Sequence, residues 1–177
     1  MRLFVFLFLA IILSSCNNLS PFTKSMYDEY GWTESDLKRI QFYLSDDVVL
    51  RRELSSGKKE IINGDVKIID GKRVEVVTIP QGTPGVMEFT PDQKRIAVRF
   101  EDGGDRFLMF GPNPKYSGRY MLLASEWTRS SGKISYEGNE YMAVNNSQLA
   151  TLMIDLKKLG KTEVNSRTAD GVRVRKN

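Results

Sequence analysis

Three groupings of side chains in this sequence have the composition that chemistry needs. Glu101, Asp102 and Asp105 set three carboxylates around Gly103 and Gly104, and calcium takes several such oxygens on a tightly wrapped loop. The spacing is not that of an EF-hand, and the same five residues make a solvated hairpin turn, so no metal ligand is assigned. Asp46 and Asp47 are adjacent acids at the junction between a helical and an extended pattern. Neighbours on a strand point to opposite faces, so the pair is read as loop residues rather than as an acid and base sharing one cleft. Ser130-Ser131-Gly132-Lys133 has the residues of a Ser-Lys pair, but Ser55-Ser56-Gly57-Lys58 repeats the composition. Both are read as surface turns.

What the chain lacks is as restrictive. It has no histidine and one cysteine in 177 residues. Ser-His-Asp and Cys-His hydrolases are thereby excluded, as are zinc and haem sites built from histidine or several cysteines. No catalytic residue and no cofactor is assigned. Two further groupings suit binding. Tyr27, Tyr30 and Trp32 interleave with Asp28 and Glu29, a composition that either stacks on sugar faces or packs an N-terminal segment against a sheet. Gly82-Thr83-Pro84-Gly85 and Gly111-Pro112-Asn113-Pro114 are rigid loops, read as connectors that could also form a protein-binding rim. The first is no phosphate loop, since it lacks the Gly-Lys-Ser/Thr ending. Tyr116, Tyr120, Trp127, Tyr136 and Tyr141 are read as core and cross-strand packing.

The N-terminus carries the most specific pattern. Arg2 precedes an eleven-residue apolar run, residues 3–13, followed by Ser14, Ser15 and Cys16. The run is too short to cross a bilayer as a helix, which takes about 20 residues, and it has the parts of a secretory signal. Leu13-Ser14-Ser15-Cys16 resembles the lipobox of bacterial lipoprotein precursors. The resemblance implies cleavage just before Cys16 and a diacylglycerol thioether on its sulfur, making Cys16 the lipid-attachment residue and membrane lipid a partner. With several acyl chains at about 0.8 kcal/mol per buried methylene, such an anchor does not dissociate on its own. Asn17 follows, not the aspartate that retains many such proteins in the inner membrane of enteric bacteria. An outer-membrane position in the cell envelope is therefore expected.

Cleavage after residue 15 leaves 162 residues, enough for one domain with a substantial core. Of 26 basic and 22 acidic residues, only Arg2 lies in the removed segment, so the remainder carries 25 against 22, or +3. In an exported protein a pI near 9.1 points to lipid headgroups and envelope polymers, not to nucleic acid. The basic residues gather late in the chain, at Lys157, Lys158, Lys161, Arg167, Arg173, Arg175 and Lys176.

The elements that must position these groups follow from periodicity. Residues 16–26 are polar and proline-broken and read as a lipidated tether. Thr33-Glu34-Ser35-Asp36 resembles a capping box, and Leu37, Ile40 and Leu44 continue it as one face of a helix of about ten residues. From Asp47 the period becomes two. Asp70-Gly71, the stretch 101–105 and Gly138-Asn139 each separate two strand patterns and predict hairpins, with further turns at 55–57 and 63–64. Other strands are expected at 48–54, 86–89, 120–127 and 151–156. Short turns without crossover helices predict an antiparallel, mainly β fold. The domain, 27–165, is thus a β-sandwich or small β-barrel with one short N-terminal helix, followed by a basic tail, 166–177.

These features together lead us to expect a non-enzymatic envelope lipoprotein that binds a protein partner or helps assemble a membrane-bound complex. The alternatives are a lipid-tethered carrier of a small apolar or glycan ligand, and a carboxylate-dependent envelope glycan hydrolase.

Overall fold

The computed structural model describes residues 19–55, 64–92, 94–129 and 131–159. Cys16, the signal segment, the turn residues 56–63 and the basic tail lie outside them. The strands are β1 (Leu19–Pro21), β2 (Phe42–Leu44), β3 (Val48–Glu53), β4 (Asp65–Ile69), β5 (Lys72–Ile79), β6 (Pro84–Phe89), β7 (Ile96–Arg99), β8 (Phe107–Asn113), β9 (Arg119–Leu122), β10 (Gly132–Tyr136), β11 (Asn139–Val144) and β12 (Leu152–Asp155). Three short helices accompany them: α1 (Lys24–Tyr30), α2 (Glu34–Leu37) and α3 (Leu156–Leu159).

The strands form two antiparallel sheets, ordered β1-β12-β2-β6-β7-β8-β9 and β10-β11-β3-β5-β4. Isolated bridges Thr23–Arg119 and Met121–Thr151 bring β9 back towards the β1–β12 edge. They stop short of closing a barrel, and of the two architectures expected the sandwich is the one formed. The chain crosses from one sheet to the other at Ser45–Asp46–Asp47, where Asp47 Oδ1 accepts the amide of Gln81 at 2.7 Å and pins the crossing.

The first two hairpins lie where turn chemistry placed them. Asp70 and Gly71 both adopt positive φ, 50° and 75°, as the tight turn between β4 and β5 requires. The third hairpin turns one residue earlier than expected, on Glu137 (φ 52°) and Gly138 (φ 70°), with Asn139 opening β11 opposite Tyr136.

Three expectations are corrected. The capping box at Thr33 is present, with the Thr33 amide donating to Asp36 Oδ2 at 2.9 Å, but its helix is a single turn. Leu37, Ile40 and Leu44 are all buried as the spacing demanded. Phe42 and Leu44 are equally spaced for a strand, however, and pairing β2 between β12 and β6 satisfies their backbone groups as well. The proposed tether enters the fold early: Leu19–Pro21 is an edge strand, and Phe22 is fully buried against Phe42, Trp32 and Tyr120, with centroids 5.3, 5.6 and 4.6 Å apart. Alternation was hidden there by Ser20 and Pro21, which an edge strand tolerates. Finally, the expected strand 120–127 ends at Leu122.

The space between the sheets is filled. Phe22, Phe42, Phe110, Tyr120, Tyr136, Tyr141 and the aliphatic residues of β3, β7, β8 and β12 form one contiguous buried cluster.

Candidate functional site

The sequence-identified groups separate in space. Asp46 is exposed and takes a hydrogen bond from Ser45 Oγ at 2.7 Å, while Asp47 staples the 81 loop. Ser131 Oγ exchanges a hydrogen bond with Thr128 Oγ1 at 3.0 Å. Lys133, exposed on β10, faces Glu140 of the neighbouring strand at 3.7 Å. Ser130 lies outside the described residues. Among the described residues of the two motifs, no hydroxyl is set against a desolvated lysine.

In the β7–β8 turn the carboxylates of Glu101 and Asp102 are held by cations and a phenol, while Asp105 accepts the Glu137 amide through its backbone carbonyl at 2.9 Å. Arg106 Nη1 reaches Glu101 at 3.4 Å and its Nε pairs with Glu137 at 2.7 Å. Arg99 pairs with Asp102 at 3.2 Å and with Glu88. The buried Tyr136 hydroxyl donates to Glu101 Oε1. Burial, and then the Glu101 hydrogen bond and charge, drives the Tyr136 pKa far above its usual value. The turn is a clasp that ties the first sheet to the β10–β11 hairpin. Among the described residues, no group of three or more acids, cysteines or histidines is arranged to hold a metal ion.

A buried polar row runs across the second sheet, unnoticed in the sequence. Register aligns Arg52 of β3 with Glu75 of β5. Glu75 is fully buried. Its Oε2 accepts from Arg52 Nη2 at 2.6 Å, Arg52 Nε at 3.1 Å and the Tyr141 hydroxyl at 3.1 Å, and its Oε1 accepts from the Gly64 amide at 2.9 Å. The Arg52 guanidinium lies 5.4 Å from the Tyr141 ring centroid. Burial alone would lower the Arg52 pKa, but the hydrogen bond and charge of Glu75 outweigh it and hold it above the usual value. The signal was present: Glu75, Val77 and Ile79 alternate onto one face of β5, so Glu75 had to be buried or to end the strand. The row has every acceptor of Glu75 engaged and serves the fold.

Two of the surface clefts carry exposed tyrosines. One, of about 320 Å³, is walled by the rigid segment Gly111-Pro112-Asn113-Pro114 together with Tyr116, Met121, Leu123, Trp127, Gln148 and Leu149. Pro114 opens a single 3-10 turn capped by Asn113, whose Oδ1 accepts the Lys115 amide at 3.0 Å. Tyr116, expected in the core, is 47% exposed here, and Leu149 is 42% exposed. The other cleft, of about 440 Å³, lies among the three helices and is lined by Tyr30, Trp32, Asp36, Arg39, Asp155 and Lys158 among others. Gly31 ends α1 in the left-handed conformation (φ 60°), turning the chain so that Tyr30 stacks on Trp32 at 4.8 Å and 5°. Asp36 is ionised below the usual carboxylate range by its hydrogen bonds from Thr33, the opposite of what a general acid requires.

The clefts occupy opposite ends of β12. Gln148 and Leu149 precede the strand, whereas Asp155 closes it, and β12 itself is four residues at about 3.3 Å each. The fold and its surface thus define an antiparallel β-sandwich with an apolar rim at one end and an aromatic shelf at the other. Comparison of the chain with protein-family models, curated proteins and solved structures gave no match.

Proposed function

We propose that this protein is a lipid-anchored component of the bacterial cell envelope, placed at the outer membrane by Cys16, that binds another envelope protein and catalyses no reaction. The observation that carries the reading is Cys16 itself, the single cysteine of the sequence, placed directly after an eleven-residue apolar run and two serines. The binding surface is the rim cleft. Exposed Tyr116 and Leu149 flank a loop stiffened by two prolines, and preorganised aromatic and apolar anchors lose little entropy when a partner closes on them.

A second reading is favoured by the Tyr30–Trp32 stack: a carrier that holds a glycan ligand against the aromatic shelf. An apolar ligand inside the sandwich is disfavoured, because that space is occupied by side chains.

The test is made in intact cells. Mass spectrometry of the N-terminal peptide should find an acylated Cys16, and a photo-crosslinking residue at position 116 or 149 should capture one protein reproducibly. An unmodified thiol, or capture of lipid alone from both positions, would overturn the reading.

A further inference from the structure

Resting on the reading of Cys16 as an anchor, the geometry constrains which end of the domain meets the membrane. Cys16 precedes Leu19 by three residues, which span at most about 11 Å when fully extended. Leu19 stands opposite Asp155 in the β1–β12 ladder, and α3 begins at the next residue. The point where the anchored segment enters the fold and the point where the chain leaves β12 are therefore side by side.

Two described features gather at this end, α3 and the aromatic shelf, and the sequence after α3 is basic. Leu156, 38% exposed, and the exposed Lys157 and Lys158 lie on α3. Residues 160–177 follow α3 and carry Lys161, Arg167, Arg173, Arg175 and Lys176 against Glu163 and Asp170. That surplus of three equals the whole surplus of residues 16–177, so residues 16–159 are neutral overall. The aromatic shelf, with Tyr30 56% exposed, shares its cleft with Leu156 and Lys158. Aromatic rings with a polar edge, flanked by lysines, suit the boundary between water and hydrocarbon. The acids in the cleft are engaged: Asp155 accepts the Lys157 amide at 3.0 Å and faces Lys158 Nζ at 3.9 Å, and Asp36 is held by Thr33.

We propose that this end of the sandwich docks on an anionic phospholipid surface. Tyr30, Trp32 and Leu156 sit at headgroup level, while Lys157 and Lys158 neutralise lipid phosphates. The anchor then acts as one of two membrane contacts, and docking turns the rim cleft at the far end of β12 away from the bilayer.

The experiment uses the acylated full-length protein reconstituted into vesicles, its acylation first verified by mass. In Trp127→Phe, Trp32 is the remaining tryptophan. Its emission should be quenched by brominated phospholipid in phosphatidylglycerol-containing vesicles, and less so in purely zwitterionic ones. Lys157→Gln/Lys158→Gln should lower the docked-to-undocked ratio about fivefold per lysine on the anionic vesicles only. Should Trp127→Phe not fold, a nitroxide on Lys158→Cys, read against an aqueous nickel relaxant, reports the same contact. Verified acylation with Trp32 unquenched, or quenching indifferent to lipid charge, would overturn the docking while leaving the anchor intact. Quenching of Trp32 by soluble peptidoglycan fragments in detergent would also overturn it, in favour of a glycan shelf. An unacylated Cys16 would overturn the functional reading and the docking together.

Discussion

Leu19 lies directly opposite Asp155 in the antiparallel pairing of β1 with β12. The pairing makes the first described strand the edge of the larger sheet and brings two segments 136 positions apart to one end of the domain. Phe22, continuing from β1, donates its amide to the Leu152 carbonyl at 2.8 Å and accepts from the Tyr120 amide at 2.9 Å. Phe22, six positions after the proposed anchor, is thus part of the core.

Phe22 provides the first prediction. A residue of a solvated tether could be truncated within about 0.5 kcal/mol of neutrality. Phe22 is fully buried and touches three aromatic rings, so Phe22→Ala should cost about 3–5 kcal/mol. Urea unfolding of the two proteins checks this, and an unchanged midpoint would return residues 19–26 to the tether.

The Arg52–Glu75 row predicts an asymmetry between single and double changes. Glu75→Leu leaves a guanidinium whose side chain is only 14% exposed facing an apolar neighbour, at a cost of about 3 kcal/mol or more. Arg52→Met/Glu75→Leu removes both charges and should recover most of that loss. Equal destabilisation by the single and double variants in a denaturant titration would mean that the pair carries no such coupling.

Alkaline stability follows from the tyrosines. Burial, and secondarily the Glu75 charge, pushes the Tyr141 pKa up to about 12 from 10.0; Tyr120 and Tyr136 are raised further, chiefly by burial. A phenol whose folded pKa exceeds its unfolded value contributes stability that is complete below the unfolded pKa and is lost as pH rises towards the folded one. Stability should therefore hold to about pH 10 and fall steeply between there and pH 12. Thermal melts across that range, beside Tyr136→Phe and Tyr141→Phe, should show a shallower decline in each variant. A pH-independent melting temperature through this window would contradict the burial of all three.

Two glycines of the β10–β11 hairpin should respond differently to alanine. At Gly132 a Cβ would stand 2.5 Å from Trp127 Cζ3 and 2.8 Å from Ala124 Cβ, an overpacking that costs about 1–3 kcal/mol. At Gly138 the space is open, but φ is 70°, so the penalty is that of a left-handed backbone, about 1 kcal/mol. Trp127→Leu should partly rescue Gly132→Ala and leave Gly138→Ala unchanged, as chemical denaturation of the four proteins would show. Rescue of both, or of neither, would place the Gly132 penalty elsewhere.

The pattern that announced strands is local, and it survived folding well. Asp70-Gly71 turns because both residues tolerate positive φ, whatever surrounds them. Thr33 and Asp36 cap a helix because three residues separate them. Leu37, Ile40 and Leu44 were legible as buried, but not as divided between a helical turn and a strand, since both periods accommodate them. Tyr116 was misplaced in the core because composition does not distinguish a tyrosine on a rim from one between sheets. Glu75 went unread although Val77 and Ile79 put it on an apolar face, and its partners come from β3, β11 and the segment before β4.

By itself the sequence determined the alternation that makes sheets, the turns that reverse them, the absence of imidazole chemistry and the singular position of Cys16. Each depends on residue type and on spacings of a few positions. Which sheet each strand joins, that Arg52 meets Glu75, and that Leu19 meets Asp155 were decided only by tertiary structure. Those pairings form where buried backbone and charged groups must find partners across long stretches of chain, and the competition among possible partners is settled by the packing of the whole core.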